Sequence, residues 1–245
     1  NPNRLTLDQF HSDPEQTLKP LDGRDFKNTI IEMGADKKFW GNKIIASILA
    51  YWRINLIHFY TTGIQFADGA FNPDTDLVTI KSRATDLIWQ LGYEDSWQWF
   101  KNRSDVGMEL SDASEYGLEQ DAFLGNVVET SPRETERGSR PDAIAFFWRE
   151  TVTLFNKVIA YVSMRHDRHW LKVIDHLNQS ASFSDRWRDS SLSTGLTLKP
   201  VDQVDIFGNY SQGFRVPAIS DIAPFSGTFS SNLLPEESES YEVGT

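Results

Sequence analysis

Strict alternation of apolar and polar residues is the feature that most limits how this chain folds. Within residues 44–56 every second residue is apolar, whereas the residues between them include Ser47, Arg53 and Asn55. Side chains that alternate in this way lie on opposite faces of a β-strand, and a helix would scatter them around its circumference. The segment also has the length of a strand that crosses a membrane, about 9 to 11 residues. The sequence therefore predicts an all-β, antiparallel fold built from long two-faced strands.

The C-terminal quarter repeats the pattern as a hairpin. Residues 191–198 and 204–210 both alternate, and residues 199–202 between them carry Pro200, which is typical of a turn. Two readings fit such strands, because the apolar face packs either on a protein core or against lipid. A soluble carbohydrate-binding β-sandwich is the first reading, and a transmembrane barrel with a wet interior is the second.

Composition excludes several classes of function. The net charge of −11 argues against nucleic acid as a partner, and the absence of Cys excludes thiolate metal sites. No HExxH, GxSxG, P-loop or GxGxxG phrase is present, so we expect no enzyme, no catalytic residues, no resident cofactor and no metal site. The eight Trp fit either an aromatic-rich core or the aromatic girdles of an outer-membrane barrel.

Long and short connections alternate between the predicted strands, of which there are about ten. Long connections are predicted at residues 125–140, 169–186 and 215–234, and short ones near Asn156 and Pro200. Outer-membrane barrels have short periplasmic turns and long external loops, so this asymmetry favours the barrel. Residues 56–66 are predicted as a separate strand, and residues 13–25 and 67–74 as loops. Residues 94–114 stay undecided between a strand end with girdle aromatics and a helical turn.

Several phrases resemble the barrel of TonB-dependent outer-membrane receptors. Residues 209–217 read NYSQGFRVP, and they are followed in order by NLLPE at 232–236 and SYEVG at 240–244. Residues 115–119 (EYGLE) and 162–168 (VSMRHDR) resemble two further family phrases, with Ser163 and His166 where the family usually has Gly and Tyr. The resemblance assigns structural roles in these phrases to Tyr116, Gly117, Glu119, Arg165, Asp167, Phe214, Arg215, Pro217, Asn232, Pro235, Glu236, Tyr241, Glu242 and Gly244.

This resemblance implies a fragment of a plugged barrel of about 22 strands, with residues 1–245 in one barrel domain. It also implies a place in the bacterial outer membrane, contact with membrane lipid, and active import of an iron complex such as haem, a haemoprotein or a ferric siderophore. Energy would come from the TonB–ExbB–ExbD complex through a plug domain. We expect that plug, the TonB box and the signal peptide to lie outside these residues.

The candidate ligand contacts are His169, His176 and Arg215. The spacing of the FRVP and NLLPE phrases resembles that of haem receptors, in which a His between the two phrases ligates iron. Residues 218–231 contain no His, Tyr, Cys or Met, so the two histidines of the preceding predicted loop are the remaining candidates. Arg215 either contacts an anionic ligand or anchors the exit of its strand, where Pro217 ends the hydrogen-bond ladder.

Overall fold

The computed structural model describes residues 23–67, 70–123, 126–127, 133–179, 182–201, 203–217, 222 and 233–245. Within those ranges the chain forms one antiparallel sheet of ten strands, which confirms the predicted fold class. The strands are β1 Gly23–Phe39, β2 Ile44–Ala67, β3 Ala70–Ser96, β4 Phe100–Phe123, β5 Asn126–Val127, β6 Arg133–Leu154, β7 Val158–Asp175, β8 Phe183–Val201, β9 Val204–Arg215 and β10 Glu236–Gly244. No helix among these residues is long and apolar enough to span a membrane.

The sheet follows the order of the sequence. Its path is β1-β2-β3-β4-β6-β7-β8-β9-β10, and the short β5 pairs with β4 off that path. Each strand therefore pairs with its neighbours through hairpins, and β1 and β10 form the two ends of the path. Among the described residues the sheet is open between these ends, and no described strand pairs with the outer edge of β1 or β10.

One face of the sheet is apolar in its middle part. The register places Ile48, Trp89, Met108 and Phe146 side by side on four neighbouring strands. Ile48, Trp89 and Phe146 are 46%, 42% and 51% exposed, and no second layer covers them in the described part of the chain. The same face, which we call the apolar face, continues on the last strands through Met164, Leu192, Leu196, Leu198 and Ile206. A β-sandwich would cover such residues, so the structure does not support that alternative.

The opposite face carries charged and small polar side chains, and we call it the polar face. Asp105 and Glu109 of β4 and Arg165 and Asp167 of β7 lie on it. Asp105 and Asp167 are buried, at 6% and 3% exposure. The alternation read from residues 44–56 and 191–198 therefore predicts the two faces correctly.

Tight turns join the strands at one end of the sheet, which we call the turn end. Residues 40–43 connect β1 to β2, and residues 155–157 connect β6 to β7. Phe155 and Asn156 have φ angles of 52° and 57°, which is the left-handed pair that a two-residue hairpin turn needs. The predicted turn at these residues is confirmed. Strand β3 ends at Ser96 and β4 begins at Phe100, so residues 97–99 form a tight turn between two strands and not a helical turn. The ring of Trp97 stacks on that of Phe100 there, with centroids 5.4 Å apart.

Several strands run further than the sequence predicts at the opposite end, the loop end. Residues 56–66 are the continuation of β2 and no separate strand, and most of the loops predicted at 67–74 and 169–186 are strand. Residues 133–140 of the predicted loop 125–140 also belong to β6, and β1 begins inside the predicted loop 13–25. The reason is that backbone pairing continues where the apolar–polar alternation that marks a strand in the sequence fades. Residues 4–12, whose short alternation in the sequence also predicts a strand, lie outside the described residues.

Candidate functional site

The polar face of β4 and β7 holds an ion-pair network centred on Arg165. Its guanidinium donates hydrogen bonds to Asp167, with both Nε–O distances 2.9 Å, and to Glu109 Oε2 at 2.8 Å. The Asp167 side chain is only 4% exposed, whereas those of Arg165 and Glu109 are 38% and 33% exposed. Because a buried carboxylate needs such partners, the network fixes the Arg165 side chain across the sheet.

A second network lies nearer the turn end of the same face. Asp105 accepts hydrogen bonds from Gln90 Nε2 at 2.9 Å and from Arg103 Nε at 2.9 Å. Close to it, a Cβ added to Gly107 would collide with the Phe147 ring on β6. Aromatic rings laid over strand glycines stabilise a wide sheet where the glycine itself contributes no side chain. These contacts are therefore architectural.

A cavity of about 290 Å³ opens on the polar face at the loop end. Its walls come from β4, β6, β7 and β8, and residues 216–217 after β9 close one side. Three of the residues singled out in the sequence line this cavity, namely the candidate ligand contact His169 and the phrase residues Arg165 and Pro217. The sequence analysis did not identify Glu109 or Trp187 as lining residues of the cavity. Both occupy strand positions whose side chains lie on the polar face, so the alternation was the signal that could have found them.

His169 lies inside β7 and on the polar face, not in a loop as its sequence position suggested. Its ring packs edge-on against Phe214, with centroids 5.7 Å apart. Nε2 of His169 is 3.9 Å from Asp167 Oδ1, which is too long for a hydrogen bond. The imidazole thus faces the cavity without a hydrogen-bond partner among the described residues.

A small apolar cluster supports the cavity from the loop end. Leu171 and Val173 of β7 are buried with Ile222, and Phe183 and Trp187 of β8 pack against them. Trp187 Nε1 also donates a hydrogen bond to the carbonyl oxygen of Leu233 at 3.3 Å. Ile222 and Leu233 both belong to the connection between β9 and β10, so contacts at two points hold that connection against the polar face.

His176 lies just beyond the C-terminal end of β7, on the other face from His169. Its ring centroid is 6.2 Å from that of Tyr116, whose hydroxyl donates a hydrogen bond to Glu136 Oε1 at 2.7 Å. Tyr116 has the parity of Met108 and lies on the apolar face, so the two candidate histidines are on opposite faces of the sheet.

Asp175 organises the start of the connection after β7. Its Oδ1 accepts hydrogen bonds from the backbone amides of Leu177 and Asn178 at 2.9 and 2.8 Å, and Oδ2 accepts one from Arg137 at 3.3 Å. Burial opposes ionisation of this carboxyl, but the two amides and the guanidinium outweigh burial and lower its pKa. The group lies beyond the apolar part of the sheet and serves as a charged cap for the turn.

The two late sequence phrases meet at the loop end of β9 and β10. Arg215 Nη2 lies 3.2 Å from Glu236 Oε1, and both side chains are exposed. Arg215 is the last residue of β9 and Glu236 the first of β10. This pairing matches the anchoring role for Arg215, since its partner is on the strand that returns. Asn232 lies outside the described residues.

The remaining phrase residues make contacts between strands. Tyr241 packs on Tyr210 at 4.9 Å, and Glu242 accepts a hydrogen bond from Asn209 at 3.3 Å. A Cβ on Gly244 would collide with the ring of Phe207. Gly117 is buried on β4 and Glu119 lies on the same strand, in register with Val78 and Thr135. The phrases thus mark where strands fit together.

Comparison with known proteins gives one family. The model described as TonB dependent receptor-like, beta-barrel matches residues 3–245. A search among curated proteins finds no match.

Solved structures give the same fold. The unliganded ferric citrate transporter FecA superposes with a TM-score of 0.81 at 12% identity, over 99% of this chain and 35% of that one. The siderophore receptor PiuA from Acinetobacter baumannii gives 0.72 at 13% identity, over 91% of this chain and 38% of that one. The ferric-catecholate import receptor Fiu from K12 E. coli gives 0.71 at 9% identity, over 92% and 38% respectively. This chain therefore spans little more than a third of the length of these proteins.

Proposed function

The chain belongs to the TonB-dependent receptor β-barrel family, a family of transporters and receptors and not of enzymes, and from this membership we propose that it forms part of an outer-membrane receptor for a ferric complex. The observation that carries the proposal is the division of the sheet into an apolar and a polar face. In hydrocarbon each unpaired backbone group costs several kcal/mol, so a membrane-spanning sheet has to close. Here the strands missing from the closed barrel would come from the rest of a longer protein.

The orientation follows from the two ends of the sheet. Turns of a few residues at the turn end fit the periplasmic side, and the long strands and connections at the loop end fit the cell exterior. The apolar face then contacts lipid, and the polar face with its ion-pair networks lines the interior. In this orientation the cavity beside His169 lies near the external mouth, where a cargo arrives.

We assign a ferric siderophore or another ferric chelate as the cargo in preference to haem. The proteins of similar fold carry names that refer to ferric citrate, siderophore and ferric-catecholate uptake. Within this chain, the two histidines that the sequence offered as iron ligands lie on opposite faces of the sheet. Arg165 is committed to Asp167 and Glu109, whereas the His169 ring in the cavity has no hydrogen-bond partner among the described residues.

Transport would draw on TonB and its inner-membrane partners through the plug of the complete receptor. This part of the proposal rests on family membership alone. Depolarising the inner membrane should abolish uptake while leaving surface binding of the cargo unchanged, because binding at the external mouth needs no energy.

Growth assays test the choice of cargo. A strain that lacks the full-length gene is supplied with ferric citrate, a ferric catecholate, a ferric hydroxamate or haem as the sole iron source. We expect growth to be lost on one of the ferric chelates, to return with the intact gene, and to be unaffected on haem. Loss of growth on haem alone would overturn the assignment of a chelate, and no loss on any source would count against iron import.

A further inference from the structure

The apolar face changes character at the loop end, where it becomes strongly basic. Arg168 of β7 is directly opposite Arg188 of β8, and Trp170 is opposite Arg186 in the next outward-facing pair. Lys172 follows on β7, next to Arg140 of β6. All of these side chains are exposed, and Trp170 is 42% exposed.

Most of these cations have no ion-pair partner among the described residues. Arg140 is paired with Asp112 at 3.3 Å and with Asp142 at 3.2 Å. For Arg168, Arg186, Arg188 and Lys172, by contrast, there is no ion pair to any of the described residues. Like charges directly opposite one another on adjacent strands destabilise a sheet. An arrangement of this kind becomes favourable when an anion bridges the guanidinium groups.

The surroundings indicate which anion fits. Grooves of about 360 and 610 Å³ lie along Trp170, one lined by Arg168 and Arg188, the other by Lys172, and Arg186 borders both. Ile144 lies beside Arg168 on β6, and Phe146 follows it toward the turn end. On β7 and β8 the hydrogen-bonded pair His166 and Ser190 comes next, before Met164 and Leu192. The basic cluster is thus continuous with the surface that contacts hydrocarbon, and an indole at this height is typical of a membrane interface.

We propose that this cluster, Arg168, Trp170, Lys172, Arg186 and Arg188, binds the phosphorylated headgroup of a lipid in the outer leaflet. Arg168 and Arg188 hold a phosphate between their strands, Arg186 and Lys172 flank it, and the acyl chains lie on the apolar residues below. A lipid explains both halves of the site, since a free anion would leave the adjoining apolar surface without a role. The inference rests on the proposed membrane orientation but not on the cargo.

Binding to purified full-length receptor in phosphatidylcholine nanodiscs tests this inference. Lipid A with both phosphates is the probe, and native mass spectrometry or competition with a fluorescent analogue gives the affinity. We expect the double variant Arg168→Gln/Arg188→Gln to bind lipid A at least about tenfold more weakly. The double variant Arg168→Lys/Arg188→Lys should recover part of the loss, because it restores charge without the planar fork. Arg83→Gln is the matched control, because Arg83 is an exposed cation of the same face outside the cluster and should leave affinity unchanged.

Two further arms identify the source of the phosphate. Dephosphorylated lipid A should bind as weakly to the wild type as lipid A does to the Gln variant. Inorganic phosphate at millimolar concentration should compete poorly, and equal competition would replace the lipid by a free anion and overturn the proposal. Equal binding by wild type and Gln variant also overturns it while leaving the receptor function intact. Failure of the wild type to enter nanodiscs would contradict the membrane orientation and both proposals together.

Discussion

Placing an arginine on each face of one strand tests the membrane orientation directly. Leu196 is on the apolar face of β8, 45% exposed, with Ala160 and Gly208 as its cross-strand neighbours. Ser193 is on the polar face of the same strand, between Ser163 and Ser211. The two positions differ by three residues in the chain and mainly by the face they occupy.

The expected magnitudes separate the two orientations. If Leu196 faces acyl chains near the middle of the bilayer, Leu196→Arg costs about 2–4 kcal/mol, which is roughly 30- to 1,000-fold in the folding equilibrium. If the same residue faces water, an exposed substitution changes stability by less than about 0.5 kcal/mol. Ser193→Arg should change it by no more than about 1 kcal/mol in the first case, since small polar neighbours and a wet interior accommodate the guanidinium.

The assay is equilibrium unfolding of the full-length receptor in lipid vesicles with guanidinium chloride, followed by tryptophan fluorescence and by the gel mobility of the folded barrel. Linear extrapolation gives the free energy of unfolding for wild type and both variants. A larger loss for Ser193→Arg than for Leu196→Arg would mean that the polar face is the dry one, and the reasoning about orientation would fail.

Three other perturbations follow from particular contacts. Gly195→Ala should destabilise the barrel by about 1–3 kcal/mol in the same unfolding assay, because the new Cβ would collide with the Tyr161 ring and the Asn209 side chain, and an unchanged midpoint would contradict that packing. Asp167→Asn should lower the free energy of unfolding by about 1–3 kcal/mol, a value reduced by the partial exposure of Arg165. The control Lys199→Gln breaks the exposed pair of Lys199 and Asp205 and should lower it by at most about 1 kcal/mol. Equal losses would show that burial of Asp167 does not matter. His169→Ala should weaken cargo binding by roughly fivefold, which corresponds to the loss of about one hydrogen bond. His176→Ala on the other face should leave the affinity unchanged. Titration of the purified receptor with cargo measures both affinities, and a larger effect of His176→Ala would place the cargo elsewhere.

The sequence predicts the middle of the sheet well because two physical demands coincide there. A strand with one apolar face and one wet face tends to alternate, and every second residue of 44–56 is apolar, while Leu192, Leu196 and Leu198 share one parity within 191–198. The tight turn at Phe155 and Asn156 is also predictable from the sequence, because Asn156 is a typical turn residue between two segments rich in apolar residues. Where a local rule and the global fold make the same demand, pattern reading is sufficient.

The loop end is predicted poorly because that coincidence is lost. In residues 169–175 of β7 the sequence pattern is weak, because Trp170 and Ile174 are apolar as well as Leu171 and Val173, and pairing with β6 and β8 continues the strand. The consequence for the site is direct, because His169 becomes a wall residue of fixed orientation. Strand β1 was not predicted, because its apolar residues do not alternate: Ile30 and Ile31 are adjacent.

Charged residues in the recurrent phrases are better explained as structure than as cargo contacts, and this decides where recognition has to occur. Arg165 donates hydrogen bonds to Asp167 and Glu109. Arg215 forms an ion pair with Glu236, and Glu242 accepts a hydrogen bond from Asn209. A group that is already paired gains little from a ligand, because it must first give up its partner. The same argument directs attention to groups without a partner among the described residues, which are His169 on the polar face and Arg168 with Arg188 on the apolar face. Specificity for cargo and for lipid should therefore lie in residues outside the recurrent phrases or at their margins, where the fold makes no use of the side chain.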